Sequence, residues 1–153
     1  MKIYLLTHER ELNRGTNTGT LAMNESDGII ERVIWSRVAP DKNIVELVKS
    51  NQASLLYPVV NEPHHDIKQF KNIIILDATW QEAKKMYNQS PYLKLAKKSL
   101  IETQYQSKYQ LRKNQPTGGL CTAECIIEIL KTHHHKNLAD KIFDKFIEFN
   151  TKK

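Results

Sequence analysis

The sequence predicts an α/β fold: one domain built on an open, mainly parallel sheet with helices on both faces. Three observations carry that reading. Ile73-Ile74-Ile75-Leu76 sets four large aliphatic residues in a row, the mark of a strand covered on both sides, which is the habit of parallel rather than antiparallel sheets. Strand-like and helix-like stretches alternate along the chain, joined by short polar segments and without an internal repeat or low-complexity tract. At 153 residues, 40% hydrophobic and 26% charged, the chain suits a single core better than two small ones, and 1–153 is read as one domain.

The elements follow in order. Lys2 to Thr7 is apolar and β-prone, Ile29 to Trp35 forms a second strand, and Ala53-Ser54-Leu55-Leu56-Tyr57 a third that Pro58 stops. The Ile73 to Leu76 run is the fourth. Helices are expected over Ile44 to Asn51, Thr79 to Gln89, Cys121 to Thr132 and Leu138 to Phe149. In the last of these Leu138, Ile142, Phe146 and Phe149 make an apolar stripe, with Lys141, Lys145 and Glu148 elsewhere, which is core packing or a dimer face. Cys121 and Cys125 lie four apart on a helical stretch, where they share a face without making a strain-free disulfide, and two thiols alone do not complete a zinc site. They are read as core residues. No apolar run reaches the ~20 residues that a membrane helix needs, and the first residues turn polar too soon for a signal peptide, so a cytoplasmic protein with no membrane partner is expected.

The net charge of +6 is unevenly placed. Lys84, Lys85, Lys94, Lys97, Lys98, Lys108, Arg112 and Lys113 stand against Glu102 alone between positions 84 and 113, which leaves the rest of the chain near neutral. Tyr87, Tyr92, Tyr105 and Tyr109 are interleaved with these cations. A solvated helix face is usually mixed in sign, whereas one-sign charge with aromatic residues between suits a phosphate backbone with bases to stack on.

In an open α/β sheet, ligands bind outside the carboxyl ends of the strands. Three segments compete for that edge: Tyr57-Pro58, Asp77 to Trp80, and Pro116-Thr117-Gly118-Gly119. None resembles a Gly-x-Gly-x-x-Gly or Walker fingerprint, so a dinucleotide or ATP site has no support. Thr79 with Glu82 has the spacing of a capping box, which by itself explains the threonine. Trp80, Ala83 and Tyr87 share a helical face, and core packing accounts for the tryptophan nearly as well as a site does. Asp77 directly follows four buried aliphatics. It is either an accessory cap for the same helix or a partly desolvated carboxylate with the raised pKa of a general base.

Leu76-Asp77-Ala78-Thr79-Trp80-Gln81-Glu82-Ala83 resembles the signature of the DTW-domain family, whose members match Asp-x-Thr-Trp. Further blocks follow the family order. His8-Glu9-Arg10-Glu11 with Thr16-Asn17-Thr18-Gly19 is similar to its N-terminal block, and Leu55-Leu56-Tyr57-Pro58 to its short strand with a terminal proline. Tyr109-Gln110-Leu111-Arg112-Lys113 and Gly119-Leu120-Cys121-Thr122-Ala123-Glu124 resemble the last two blocks. The match runs from about Thr7 to Leu130. Many members also carry a cysteine-rich N-terminal segment resembling a zinc knuckle. This sequence has none, so zinc is not carried over.

The resemblance implies a SPOUT-like sheet with a knotted carboxyl-terminal part that holds S-adenosylmethionine. It implies transfer of the 3-amino-3-carboxypropyl group of that co-substrate to a uridine of tRNA, with release of methylthioadenosine. On that reading Asp77 is the candidate base, with Thr79 and Trp80 beside it as the catalytic set. Leu56, Tyr57, Pro58, Gly119, Leu120, Thr122 and Glu124 form the expected cofactor cradle. Lys84, Lys97, Lys98, Arg112 and Lys113 are the expected tRNA contacts, and His8, Glu11 and Asn17 orient substrate or fix the first loop. His64-His65-Asp66 and His133-His134-His135 sit in polar, loop-like stretches, and no metal is expected. Two rivals stand beside this reading: methyl transfer from the same cofactor, and a non-catalytic RNA-binding module in which Asp77 is only a cap.

Overall fold

The structure is a computed structural model and describes residues 1–101 and 121–151. Its strands are β1 (Lys2–Thr7), β2 (Ile30–Ile34), β3 (Ala53–Leu56), β4 (His64–His65), β5 (Asn72–Asp77) and β6 (Lys97–Ser99). They form one sheet in the order β2-β1-β5-β3-β6-β4. Every pairing is parallel, so all the carboxyl ends lie along one edge. The helices are α1 (Thr18–Asn24), α2 (Lys42–Lys49), α3 (Trp80–Asn88), α4 (Pro91–Leu95), α5 (Thr122–Thr132) and α6 (Lys136–Thr151).

The pleat of the central strands accounts for the two layers of helices. Successive strand side chains point to opposite faces, so Ile3, Leu5, Ile73 and Ile75 pack against α1, α5 and α6, among them Ala22, Ile126, Leu130 and Ile142. Tyr4, Leu6, Ile74 and Leu76 face the other way, onto Ile44 and Val48 of α2, Ala83 and Met86 of α3 and Leu93 of α4. The unbroken aliphatic run of β5 is therefore shared between two cores. The sheet is open, parallel and covered on both sides, as the sequence predicts. The C-terminal knot is decided by the path of residues 102–120, which lie outside the described residues.

Four elements go beyond the sequence reading: α1, α4, β4 and β6. The stripe of α6 is core packing, with Ile142 and Phe146 buried and Leu138 and Phe149 partly so. Cys121 and Cys125 are free thiols. Cys121 is buried and Cys125 is half-buried against the core, where desolvation, with Glu124 and Glu128 nearby, pushes the Cys125 thiol up to about 12. One assignment is corrected outright. Lys98, expected to contact tRNA, is fully buried in β6, with its ammonium donating to Glu62 and to the Lys94 carbonyl at 2.7 Å. A charge enclosed in that way is not available to a phosphate.

The connections set a topological switch point. The chain leaves β1 for β2 through α1, and β5 for β6 through α3 and α4, in opposite directions along the sheet and over opposite faces. Neighbouring strands whose connections diverge in this way leave an opening between their carboxyl ends, the topological switch point of an open α/β sheet. Thr7-His8 and Asp77-Ala78-Thr79 form its two sides.

Candidate active site

The switch point is organised by one carboxylate. Asp77 closes β5 opposite Thr7 of β1 and is fully buried. Its Oδ2 accepts from Thr7 Oγ1 at 3.0 Å and from Arg32 Nη2 of β2 at 3.3 Å, and its Oδ1 accepts from Thr122 Oγ1 of α5 at 3.0 Å. Asn17 Nδ2 lies between the two oxygens at 3.1 and 3.2 Å. Three strands and the amino ends of two helices thus meet on a single side chain. Asn17 serves twice, because its Oδ1 caps α1 by accepting from the Thr20 amide at 2.9 Å and also takes Arg32 Nη2 at 3.1 Å.

A second chain of contacts runs from this centre to the amino end of α3. Asn17 Nδ2 donates to Glu11 Oε1 at 3.0 Å, Glu11 pairs with Arg14, and Arg14 grips both oxygens of Glu82 at 3.0 and 2.9 Å. Glu82 completes the capping box of α3: it accepts from the Thr79 amide at 3.0 Å while its own amide donates to Thr79 Oγ1 at 3.2 Å. Burial pushes the Glu82 carboxyl up. The Arg14 fork and the Thr79 donors outweigh it and hold the group at about 2. Thr79 therefore has the structural role that its spacing predicts, and its helix end is locked to the first loop.

Trp80 departs from the core-packing alternative. Glu82, Ala83 and Met86 are the buried face of α3, while Trp80 is 41% exposed. It stacks on Tyr57, which follows β3, and Tyr57 stacks on Tyr87. His8 borders the opposite side. Its ring lies on Trp35 at 5.9 Å, its Nδ1 accepts from the Arg10 amide, and its backbone amide extends the sheet by donating to the Asp77 carbonyl at 3.1 Å.

A family model of the DTW domain matches residues 1–152. The chain belongs to the DTW-domain family. That family is linked to tRNA modification. No solved structure matches the chain. In this DTW domain the eponymous Asp77, Thr79 and Trp80 have three separate placements: a buried hub, a helix cap and an exposed ring.

Of the residues expected to cradle a cofactor, Leu56 is half-buried, Tyr57 is buried and Pro58 is exposed at the carboxyl end of β3. Thr122 is half-buried and bonded to Asp77, and Glu124 is buried with its Oε1 accepting from the Cys121 amide at 3.0 Å. Gly119 and Leu120 lie outside the described residues, as do Arg112 and Lys113. Lys84 and Lys97 are exposed. The histidines face other tasks: His64 Nε2 accepts from the Val59 amide, and both ring nitrogens of His133 lie within 3.0 Å of carbonyl oxygens. Among the described residues no group of three or more His, Cys, Asp or Glu is poised to hold a metal, and no helix is long and apolar enough to cross a membrane.

Sequence reasoning missed Thr7, Arg14 and Arg32. Thr7 carries a weak signal, since it ends a buried strand as Asp77 does. Arg32 carries none, because its relation to Asp77 depends on the register of β2, β1 and β5.

Proposed function

We propose that this DTW domain transfers the 3-amino-3-carboxypropyl group of S-adenosylmethionine to N3 of a tRNA uridine. The observation that carries the reading is the position of the DTW segment at the switch point between β1 and β5, in a chain whose whole length matches the family. Hydroxyl, carboxylate and aromatic groups converge there, which suits a ligand that is part nucleoside and part cationic amino acid.

When bound, S-adenosylmethionine supplies an electrophilic γ-carbon beside its sulfonium. The new bond joins uracil N3 to that carbon, the old carbon–sulfur bond leaves its electron pair on sulfur, and the N3 proton must find an acceptor. Thr122 is the acceptor in this proposal. Its only proton is donated to Asp77 Oδ1, so the remaining lone pairs of its oxygen are acceptors. The N3 proton passes to Thr122 Oγ1 as the hydroxyl proton passes to Asp77 Oδ1. Asp77 thereby keeps the base role expected from sequence, reached through a hydroxyl because its own oxygens are enclosed. Leu56, Tyr57, Pro58, Gly119, Leu120 and Glu124 remain the proposed cofactor cradle, and Thr122, expected from the sequence to belong to it, takes the proton path in this proposal. Lys84, Lys97, Arg112 and Lys113 remain the proposed tRNA contacts. His8, Glu11 and Asn17 shape the loop that closes the near side.

The test is mass spectrometry of nucleosides from tRNA incubated with the protein and S-adenosylmethionine. Uridine carrying an aminocarboxypropyl group supports the proposal. Methylated uridine assigns the chain to methyl transfer, and unmodified tRNA that is nevertheless bound leaves the RNA-binding reading.

A further inference from the structure

Trp80 stands at the first position of α3, yet its ring is held from beneath. Tyr57, 8% exposed, stacks on it with centroids 6.1 Å apart and planes at 18°. Tyr87 stacks on Tyr57 at 4.5 Å and 22°, and the buried Lys98 places Nζ 5.4 Å from the centre of Tyr87. Three rings rooted on an enclosed cation form a terrace whose top ring is open to solvent. A ring backed in this way has less rotamer freedom to lose when a ligand stacks on it.

Lys84 follows Trp80 by four residues, one helical turn along the same face of α3, and it is exposed. That pairing discriminates between planar ligands. S-adenosylmethionine offers an adenine but carries no phosphate; its carboxylate is its one anion, and the sulfonium and ammonium leave the molecule with a net positive charge. A nucleotide within an RNA strand offers a base to stack and an anionic phosphate beside it. We infer that Trp80 and Lys84 form a subsite for one unstacked RNA nucleotide, the indole taking the face of the base and the ammonium the flanking phosphate. The inference rests on the proposed function for the choice of RNA as ligand, and it gives that function a place for the nucleotide outside its own stack.

The experiment measures equilibrium binding of bulk tRNA and, separately, of S-adenosylmethionine. The proteins are the wild type, Trp80→Phe, Trp80→Leu and Lys84→Gln. Trp80→Leu should weaken tRNA binding by about 5- to 150-fold, a larger factor than any loss of S-adenosylmethionine affinity, and Trp80→Phe should recover most of the tRNA loss. Lys84→Gln should reduce the slope of log affinity against log salt by roughly 0.7 to 0.9. Unchanged tRNA affinity in Trp80→Leu overturns the inference. So does lost S-adenosylmethionine affinity with intact tRNA affinity, which gives the ring to adenine. A readout without any change at Trp80 uses Trp35→Phe, where Trp80 is the remaining tryptophan: quenching of its fluorescence by tRNA is expected, and saturating tRNA without quenching overturns the subsite. These measurements read binding alone. Failure of the aminocarboxypropyl reaction, seen in the products, is therefore distinct from failure of the subsite.

Discussion

Thr7 and Asp77 are register partners at the ends of β1 and β5, and the Thr7 hydroxyl donates to Asp77 Oδ2 at 3.0 Å while accepting from Arg32 Nε at 3.1 Å. One hydroxyl thus links an arginine of β2 to a carboxylate two strands away. The same carboxylate holds Asn17 and Thr122, so the arrangement of the switch point and its proposed chemistry depend on one residue.

Asp77→Ala removes the acceptor and leaves Arg32, Thr7, Asn17 and Thr122 facing a void. The expected loss is about 3–5 kcal/mol of stability, read by urea denaturation. Asp77→Asn turns an amide N–H₂ toward at least one of those donors and should also destabilise. A variant as stable as the wild type would show that the hub is not structural.

Thr122 separates the chemical role from the structural one. Thr122→Ser keeps the hydroxyl and should retain most of the turnover, whereas Thr122→Val keeps the shape and should lower kcat by about 100-fold or more. Single-turnover rates with saturating tRNA and S-adenosylmethionine make the comparison. Equal rates for Val and Ser would remove Thr122 from the proton path.

Glu82 gives the fold an acid limit. Its folded value of about 2 lies below its ordinary value of 4.5, so its contribution is fully present above that ordinary value and is lost as pH falls toward 2. The contribution is up to about 3 kcal/mol. Arg14→Met should lower stability at neutral pH and flatten its dependence between those two values, as read by urea midpoints across the range. A slope identical to that of the wild type would contradict the role of the Arg14 clamp.

Gly19 lies inside α1, where alanine ordinarily stabilises a helix by roughly 1 kcal/mol. Here a Cβ would sit 3.1 Å from Asp77 Oδ2, 3.2 Å from Leu5 Cδ1 and 3.3 Å from Asn17 Oδ1. Those oxygens are pinned by their donors, so Gly19→Ala should lower the melting temperature and the tRNA-modifying rate together. A raised melting temperature would mean that α1 can move away from the hub.

The central strands and the start of α3 are legible because their signals are local: four aliphatics in β5, the apolar, β-prone run of β1, and a capping box at Thr79. α1 is not. Thr18-Gly19-Thr20 has poor helix propensity, and the helix forms because Asn17 caps it and Gly19 admits the approach to Asp77. β6 was hidden because Lys97-Lys98-Ser99 reads as part of a cationic surface for a phosphate backbone, whereas Glu62 and the Lys94 carbonyl take the Lys98 ammonium inside. At the site, the position of Asp77 at a strand end could be read from the sequence. Its partners could not, since Arg32 and Thr122 reach it only through strand register and the return of the chain at α5. Trp80 was ambiguous because helical period alone does not say which residues of a face the neighbouring strand covers.

The claim that most needs a direct test is which carbon of S-adenosylmethionine is transferred. Chromatography and mass spectrometry of the small-molecule by-product, formed with tRNA present, answer it in one run. Methylthioadenosine in equal amount to modified uridine is expected, and S-adenosylhomocysteine as the by-product would contradict aminocarboxypropyl transfer.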